Sequence, residues 1–298
     1  MQFRVWVVAL CLSFCAGTVL GQGMAPAKPD PAVVAQQLNY RTGPQSLGGV
    51  ADVQGQTLAV LDVADGRKLL VDVWENPPQS ANGILGILVP RRFDALSPDS
   101  WAIVVRYEKT GYVSDSDADS IDYDELLQDM QESARLASAE RIKQGYPGIE
   151  LVGWASKPYY DKATHKLHWA KELRFLDSTD NTLNYNLRVL GRQGVLELNF
   201  IGNMAQLSEI RTAIPRVMSE VNFKPGFRYE EFDSSVDEVA GYGLAALIAG
   251  GVLKKAGILG AIVAVLVGLK KFIFVGVIAV IGGIVAIVRR RRARRPVS

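Results

Sequence analysis

An α+β domain, an antiparallel sheet packed by helices and followed by a C-terminal transmembrane helix, is the architecture this sequence predicts. Three observations carry it. Runs of β-branched and aromatic residues are joined by DKAT, LDSTDN and GRQG, connections too short for a crossover helix, so the strands they join run antiparallel. Two helical stripes bracket that meander instead of alternating with its strands, which separates α+β from a doubly wound sheet. The last uninterrupted apolar stretch, FIFVGVIAVIGGIVAIV at 272–288, lies near the end of the chain.

The start of the chain has Arg4, an apolar run from Val5 to Leu20 and small residues around Gly21, the pattern of a secretory signal peptide over 1–22. Both cysteines, Cys11 and Cys15, fall inside it, and Phe14 makes a poor lipobox before Cys15. The processed chain then lacks cysteine, which removes thiolate nucleophiles, disulfides and thiolate zinc sites together. Residues 23–42 read as a linker or N-terminal segment, with Met24 to Pro31 rich in Ala and Pro.

The body, 43–235, opens with strands at GVADV from Gly49 and TLAVLD from Thr57. An amphipathic GRKLLVDVW follows, and NPP at Asn76 to Pro78 must end that helix, because proline lacks the donor and restricts the residue before it. GILGILV and SWAIVVRYEKTGYV are further strands. From Tyr123 to Gln144 the apolar residues Leu126, Leu127, Met130, Ala134 and Ala137 form the stripe of a helix lying on a sheet, closed by Gly145 and Pro147. IELVGWA, KPYYD, HKLHWAKELRF, TLNYNLRVL and VLELNFI make the meander, and a second helix, about 206–221, is expected to bend or restart at Pro215.

Residues 236–271 are an apolar juxtamembrane segment broken by Lys254-Lys255 and Lys270-Lys271, suited to an interfacial helix ahead of one membrane pass. At about 1.5 Å per residue, 272–288 covers roughly 26 Å, enough for a bilayer core with snorkelling flanks. RRRRARR in the tail, 289–298, belongs on the cytoplasmic side, which orients the body outward. Ala279 with Gly283 and Gly282 with Ala286 are small residues spaced for close helix approach, a basis for self-association in the membrane. The whole chain holds 33 Lys and Arg against 31 Asp and Glu, but outside the signal and the segment after Ser235 the counts are 22 and 29. An acidic body on a basic anchor argues against nucleic acid as a partner.

GYVSDSDADSID places Asp115, Asp117 and Asp119 two residues apart, the opening of a calcium loop and the one metal candidate in the chain. Counted from Asp115, position six is Ser120 where the loop needs glycine, and position twelve is Leu126 where it needs glutamate. Helix capping explains the stretch better: Asp122 as N-cap with Glu125 three residues on, and the other acids near the positive helix end. His165 and His168 stand three apart, on opposite faces of a strand, so they do not share a metal; Asp161 is placed to orient His165, but no nucleophile motif accompanies it. Trp74, Trp101, Trp154 and Trp169 read as packing, with sugar stacking beside paired carboxylates as the rival account. No P-loop, dinucleotide fingerprint or HExxH is present, and no cofactor is implied.

The strings GPQSLGGVADV, LLVDVWENPP, GYVSDSDADSID, GYPGIELVGWASKPYYDKATHKLHWAKEL, NYNLRVLGRQGVLELN and FDSSVDEVAGYGLAALIAGG resemble the uncharacterised bacterial family called domain of unknown function 2167. The resemblance runs through most of Gly43 to Gly251 and implies a membrane-anchored exported protein; it brings no activity, substrate or catalytic residue. Glu75 stands in WENPP where the family is expected to carry glycine, a departure that bears on a tight turn there. The element order is also similar to the PsbP-like or Mog1-like sandwich, a group of partner-binding domains, an analogy that does not fix function.

The expected function is a non-catalytic binding or interaction module at the bacterial inner membrane, single-pass, with its main domain in the periplasm and its C-terminus in the cytoplasm. Its expected partners are the lipid bilayer, an envelope protein and a second copy through the membrane helix. The alternatives are an envelope hydrolase of cell-wall glycan or peptide using carboxylates, and a stress-linked membrane protein acting through its C-terminal helices.

Overall fold

The computed structural model describes residues 28–250. The expected signal peptide, the 272–288 span and the basic tail lie outside the described residues. Among the described residues no helix is long and apolar enough to cross a membrane.

The chain begins with α1 (Pro31–Gln36), capped by Asp30, then β1 (Gln45–Leu47), β2 (Ala51–Val53) and β3 (Leu58–Leu61). The segment expected as a linker thus contributes to the fold: Val34 and Leu38 are buried, and Arg41 bridges to Val60. A short α2 (Val63–Arg67) continues into a wider π turn over Lys68–Val73, which stops ahead of the prolines as their chemistry requires. β4 (Ile84–Pro90) and β5 (Ala102–Glu108) follow, then α3 (Tyr123–Lys143). The meander is β6 (Ile149–Asp161), β7 (Lys166–Phe175), β8 (Thr182–Leu190) and β9 (Val195–Asn203). IELVGWA and KPYYD, expected as separate strands, form one long edge strand whose register shifts at Leu151/Gly153, Trp154/Ser156 and Ser156/Tyr159. Bulges let an edge strand carry Pro158 without costing a central ladder bond.

α4 (Leu207–Glu220) runs unbroken through Pro215 and leads into β10 (Val221–Phe223); α5 (Leu244–Ala249) closes the described chain. The restart expected at Pro215 does not occur. Ile210, Ile214 and Val217 lie on one buried face, and their packing outweighs the hydrogen bond that Pro215 cannot donate.

The large sheet has the order β3-β4-β5-β9-β8-β7-β6, antiparallel throughout, and β1, β2 and β10 form a small second sheet. Side chains alternate between the two faces of each strand. On one face Leu183, Tyr185, Leu187, Leu198, Phe200, Ile103 and Val105 pack with α4 and the small sheet into the main core. On the other, α1 and the π turn cover β3 to β5, joining Leu69, Leu70, Trp74, Ile87, Val104 and Ile201, while α3 packs along β6. The middle of that second face, over β7, β8 and β9, belongs to neither apolar cluster.

Candidate functional site

The acidic stretch leaves β5 and enters α3. Asp122 caps α3, its carboxylate accepting from the backbone N–H of Asp124 and of Glu125, 3.0 Å each, and those bonds hold its acid below the usual range. The three candidate ligands have separate partners. Asp115 accepts from the Tyr160 hydroxyl at 2.9 Å, Asp119 pairs with Lys162 at 2.6 Å, and Asp117 accepts from the backbone N–H of Leu244 at 3.0 Å and of Ala245 at 3.3 Å. Asp117 therefore caps α5, and the fit is close: a Cβ on Gly243 would lie 2.4 Å from its Oδ2. Among the described residues no three of His, Cys, Asp and Glu converge as a metal set.

Tyr160 also lies 3.2 Å from His165 Nδ1, and burial, then its bond to Asp115, raises its hydroxyl above the ordinary range. His165, at φ 51°, stacks on Tyr229 at 4.0 Å, while Tyr112 stacks on Tyr229 at 4.5 Å and on Phe232 at 3.9 Å. These rings pin the chain that leaves the body against the exit of β5. Asp161, expected beside His165, instead accepts from Thr164 Oγ1 at 2.6 Å and Ala163 N at 3.0 Å within the β6–β7 turn; the carboxylate nearest His165 is that of Asp115, at 3.9 Å. His168 is kept apart on the main-core face, where it stacks on Tyr159 and faces the Tyr185 hydroxyl at 3.4 Å. The two histidines share nothing.

The tryptophans divide. The indole N–H of Trp74 donates to the Ala95 carbonyl at 3.0 Å, that of Trp101 to Glu209 at 2.7 Å and that of Trp154 to the Tyr123 carbonyl at 3.1 Å, as packed tryptophans do. Trp169 is 1% exposed, and its Nε1 has no partner among the described residues. It lies in the middle of the second sheet face, among residues that register brings side by side. Trp169 pairs across to Asn186 and Asn186 to Asn199; Lys171 pairs with Asn184; Arg188 pairs with Glu197 and Glu197 with Arg106. The result is a polar band on the second face of the large sheet.

Its hydrogen bonding is incomplete. Asn186 Nδ2 donates to Asn184 Oδ1 at 2.9 Å, yet Asn184 Nδ2 and Asn199 Oδ1 are buried without partners among the described residues. The Arg188 guanidinium lies 5.1 Å over the Trp169 ring. Its Nε is 3.2 Å from Glu197 Oε1 but is not aligned for a hydrogen bond, so the pair is ionic rather than directional. Burial pushes the Lys171 ammonium down to about 8, with Arg188 acting the same way and Glu197 opposing. At the Arg188 and Glu197 end the side chains are 12% and 21% exposed, so the band has an inner end and a wetter one. Such an arrangement leaves donors and an acceptor unbonded beside positive charge.

The family model for the protein of unknown function DUF2167 matches residues 39–281. No curated protein matches the chain. Among solved structures the chain is similar to the solution structure of cyanobacterial PsbP (CyanoP) from Synechocystis sp. PCC 6803, at 10% identity and a TM-score of 0.33, over 70% of this chain and 98% of that one.

Proposed function

Since the chain belongs to the DUF2167 family, which prescribes no chemistry, we propose on physical grounds that it is a non-catalytic binding module whose ligand site is the polar band over β7, β8 and β9. One observation carries this reading: Trp169, Asn184 and Asn199, all more than nine-tenths buried, leave polar atoms unpaired on the same sheet face. Each such group costs about 1 to 3 kcal/mol unless something bonds to it. Binding fits the band better than hydrolysis, because its carboxylate, Glu197, is held against a guanidinium instead of opposing a second carboxyl across a cleft. A full chain purified gently and examined by native mass spectrometry should carry a small molecule that the Asn184→Leu variant lacks. Identical spectra for the two proteins would remove the proposal.

The module is tethered to a membrane and faces the periplasm, a reading supported by the signal-like start, the apolar 272–288 stretch and the arginines after it. With both natural cysteines inside the signal, one placed at exposed Ser178 is labelled by a membrane-impermeant maleimide in cells with a permeabilised outer membrane. Labelling only after the inner membrane is broken would reverse the orientation.

A further inference from the structure

Taking the polar band to be a ligand site, we infer that its ligand is a small molecule bearing an oxyanion, a carboxylate or a phosphate, seated where Trp169, Lys171 and Asn184 meet.

The unpaired groups on β7 and β8 are donors. An indole N–H can only donate, so the unpaired Nε1 of Trp169 demands an acceptor. The orientation of Asn184 is fixed by its neighbour: its Oδ1 already accepts from Asn186 at 2.9 Å, which leaves Nδ2 as the unpaired end, a second donor. Lys171 pairs with Asn184 across the strands and lies two residues along from Trp169 on the same face, so the strand pair that carries both donors also carries a positive charge. Among the described residues Lys171 makes no ion pair, since the carboxylate of the band is engaged by Arg188.

Charge then selects between ligand classes. A neutral hydroxylated molecule could accept from Trp169 and Asn184, but it would leave the Lys171 and Arg188 cations balanced by Glu197 alone. An oxyanion accepts both hydrogen bonds with one group and supplies the missing negative charge, and charge-assisted bonds of this kind are the stronger ones. The unpaired Asn199 Oδ1, on the next strand pair of the same face, is left to receive a hydroxyl or amine of the same ligand.

The test is a titration of the full chain in detergent, stripped of bound small molecules by dialysis, with inorganic phosphate, glutarate and glucose, followed by isothermal titration calorimetry. Saturable binding of phosphate or glutarate is expected, and the stronger of the two identifies the oxyanion. Asn184→Leu and Trp169→Phe should each raise the Kd for that anion at least tenfold, and Lys171→Met should do the same. Near-UV circular dichroism confirms that the variants remain folded. Binding of glucose alone, abolished by Asn184→Leu, would overturn the oxyanion while leaving the binding module intact. Anion binding unchanged in all three variants, or no response to any of the three probes, would also overturn it; identical native mass spectra for wild type and Asn184→Leu would remove the binding module with it.

Discussion

Both faces of the large sheet bury polar groups, and they treat them differently. Under α4, Glu220 is 3% exposed, yet its Oε2 accepts from Gln56 N at 2.8 Å and its Oε1 from Thr57 N at 2.9 Å and from the Thr57 hydroxyl. Across the sheet, Asn184 is 1% exposed and its Nδ2 has no partner. Equal burial therefore serves two ends. Glu220 ties the end of α4 to the turn before β3 and is part of the fold's stability, whereas Asn184, on the reading proposed above, is held for a ligand.

The widest separation between the faces comes from deleting the satisfied group. Glu220→Ala strands two backbone donors and a hydroxyl in the interior and should cost about 3 kcal/mol in denaturant unfolding of the full chain. A loss below about 1 kcal/mol would mean that water reaches those donors and that the contrast between the faces is false.

A second test uses pH on the same core face. His168 is buried, and desolvation lowers its pKa from 6.5 to about 4, so the folded protein binds its proton less readily than the unfolded chain does. The contribution is therefore fully present above pH 6.5 and is lost as the pH falls toward 4, amounting to about 3 kcal/mol at the acid limit. His168→Gln should flatten that limb of the stability curve. An unchanged limb in the variant would place the acid sensitivity elsewhere.

Most of the frame was legible in the sequence because its signals are local. The limits of β8 follow from TLNYNLRVL, and the Asp122 cap from its distance to the apolar stripe of α3. What was not legible depends on residues far apart in the chain. Asp117 caps a helix 127 residues away, a partner no local pattern announces. The turn at WENPP persists with Glu75 at φ 51°, the left-handed conformation in which glycine is the easier residue. The polar band was missed for a more instructive reason. Asn184, Asn186 and Arg188 alternate with Leu183, Tyr185 and Leu187, which is the usual signature of a strand with one face in water. Only the tertiary structure reveals that the polar face is buried as well.

The smallest expected effect is the most discriminating. Asn184→Leu replaces an amide with an unpaired donor by an apolar side chain of similar size, and Asn186 keeps a partner because its Nδ2 also donates to the Asn184 backbone carbonyl at 3.0 Å. The variant should thus unfold within about 1 kcal/mol of the wild type, on the stabilised side when no ligand is present. If the amide were structural, its removal would cost stability as Glu220→Ala does, and the two faces would follow one rule. If it is there for a ligand, the substitution exchanges binding for stability, and adding ligand widens the gap in favour of the wild type, because only that protein gains from mass action. Unfolding measured with and without the bound anion therefore separates a residue that holds the fold from one that the fold carries at a cost.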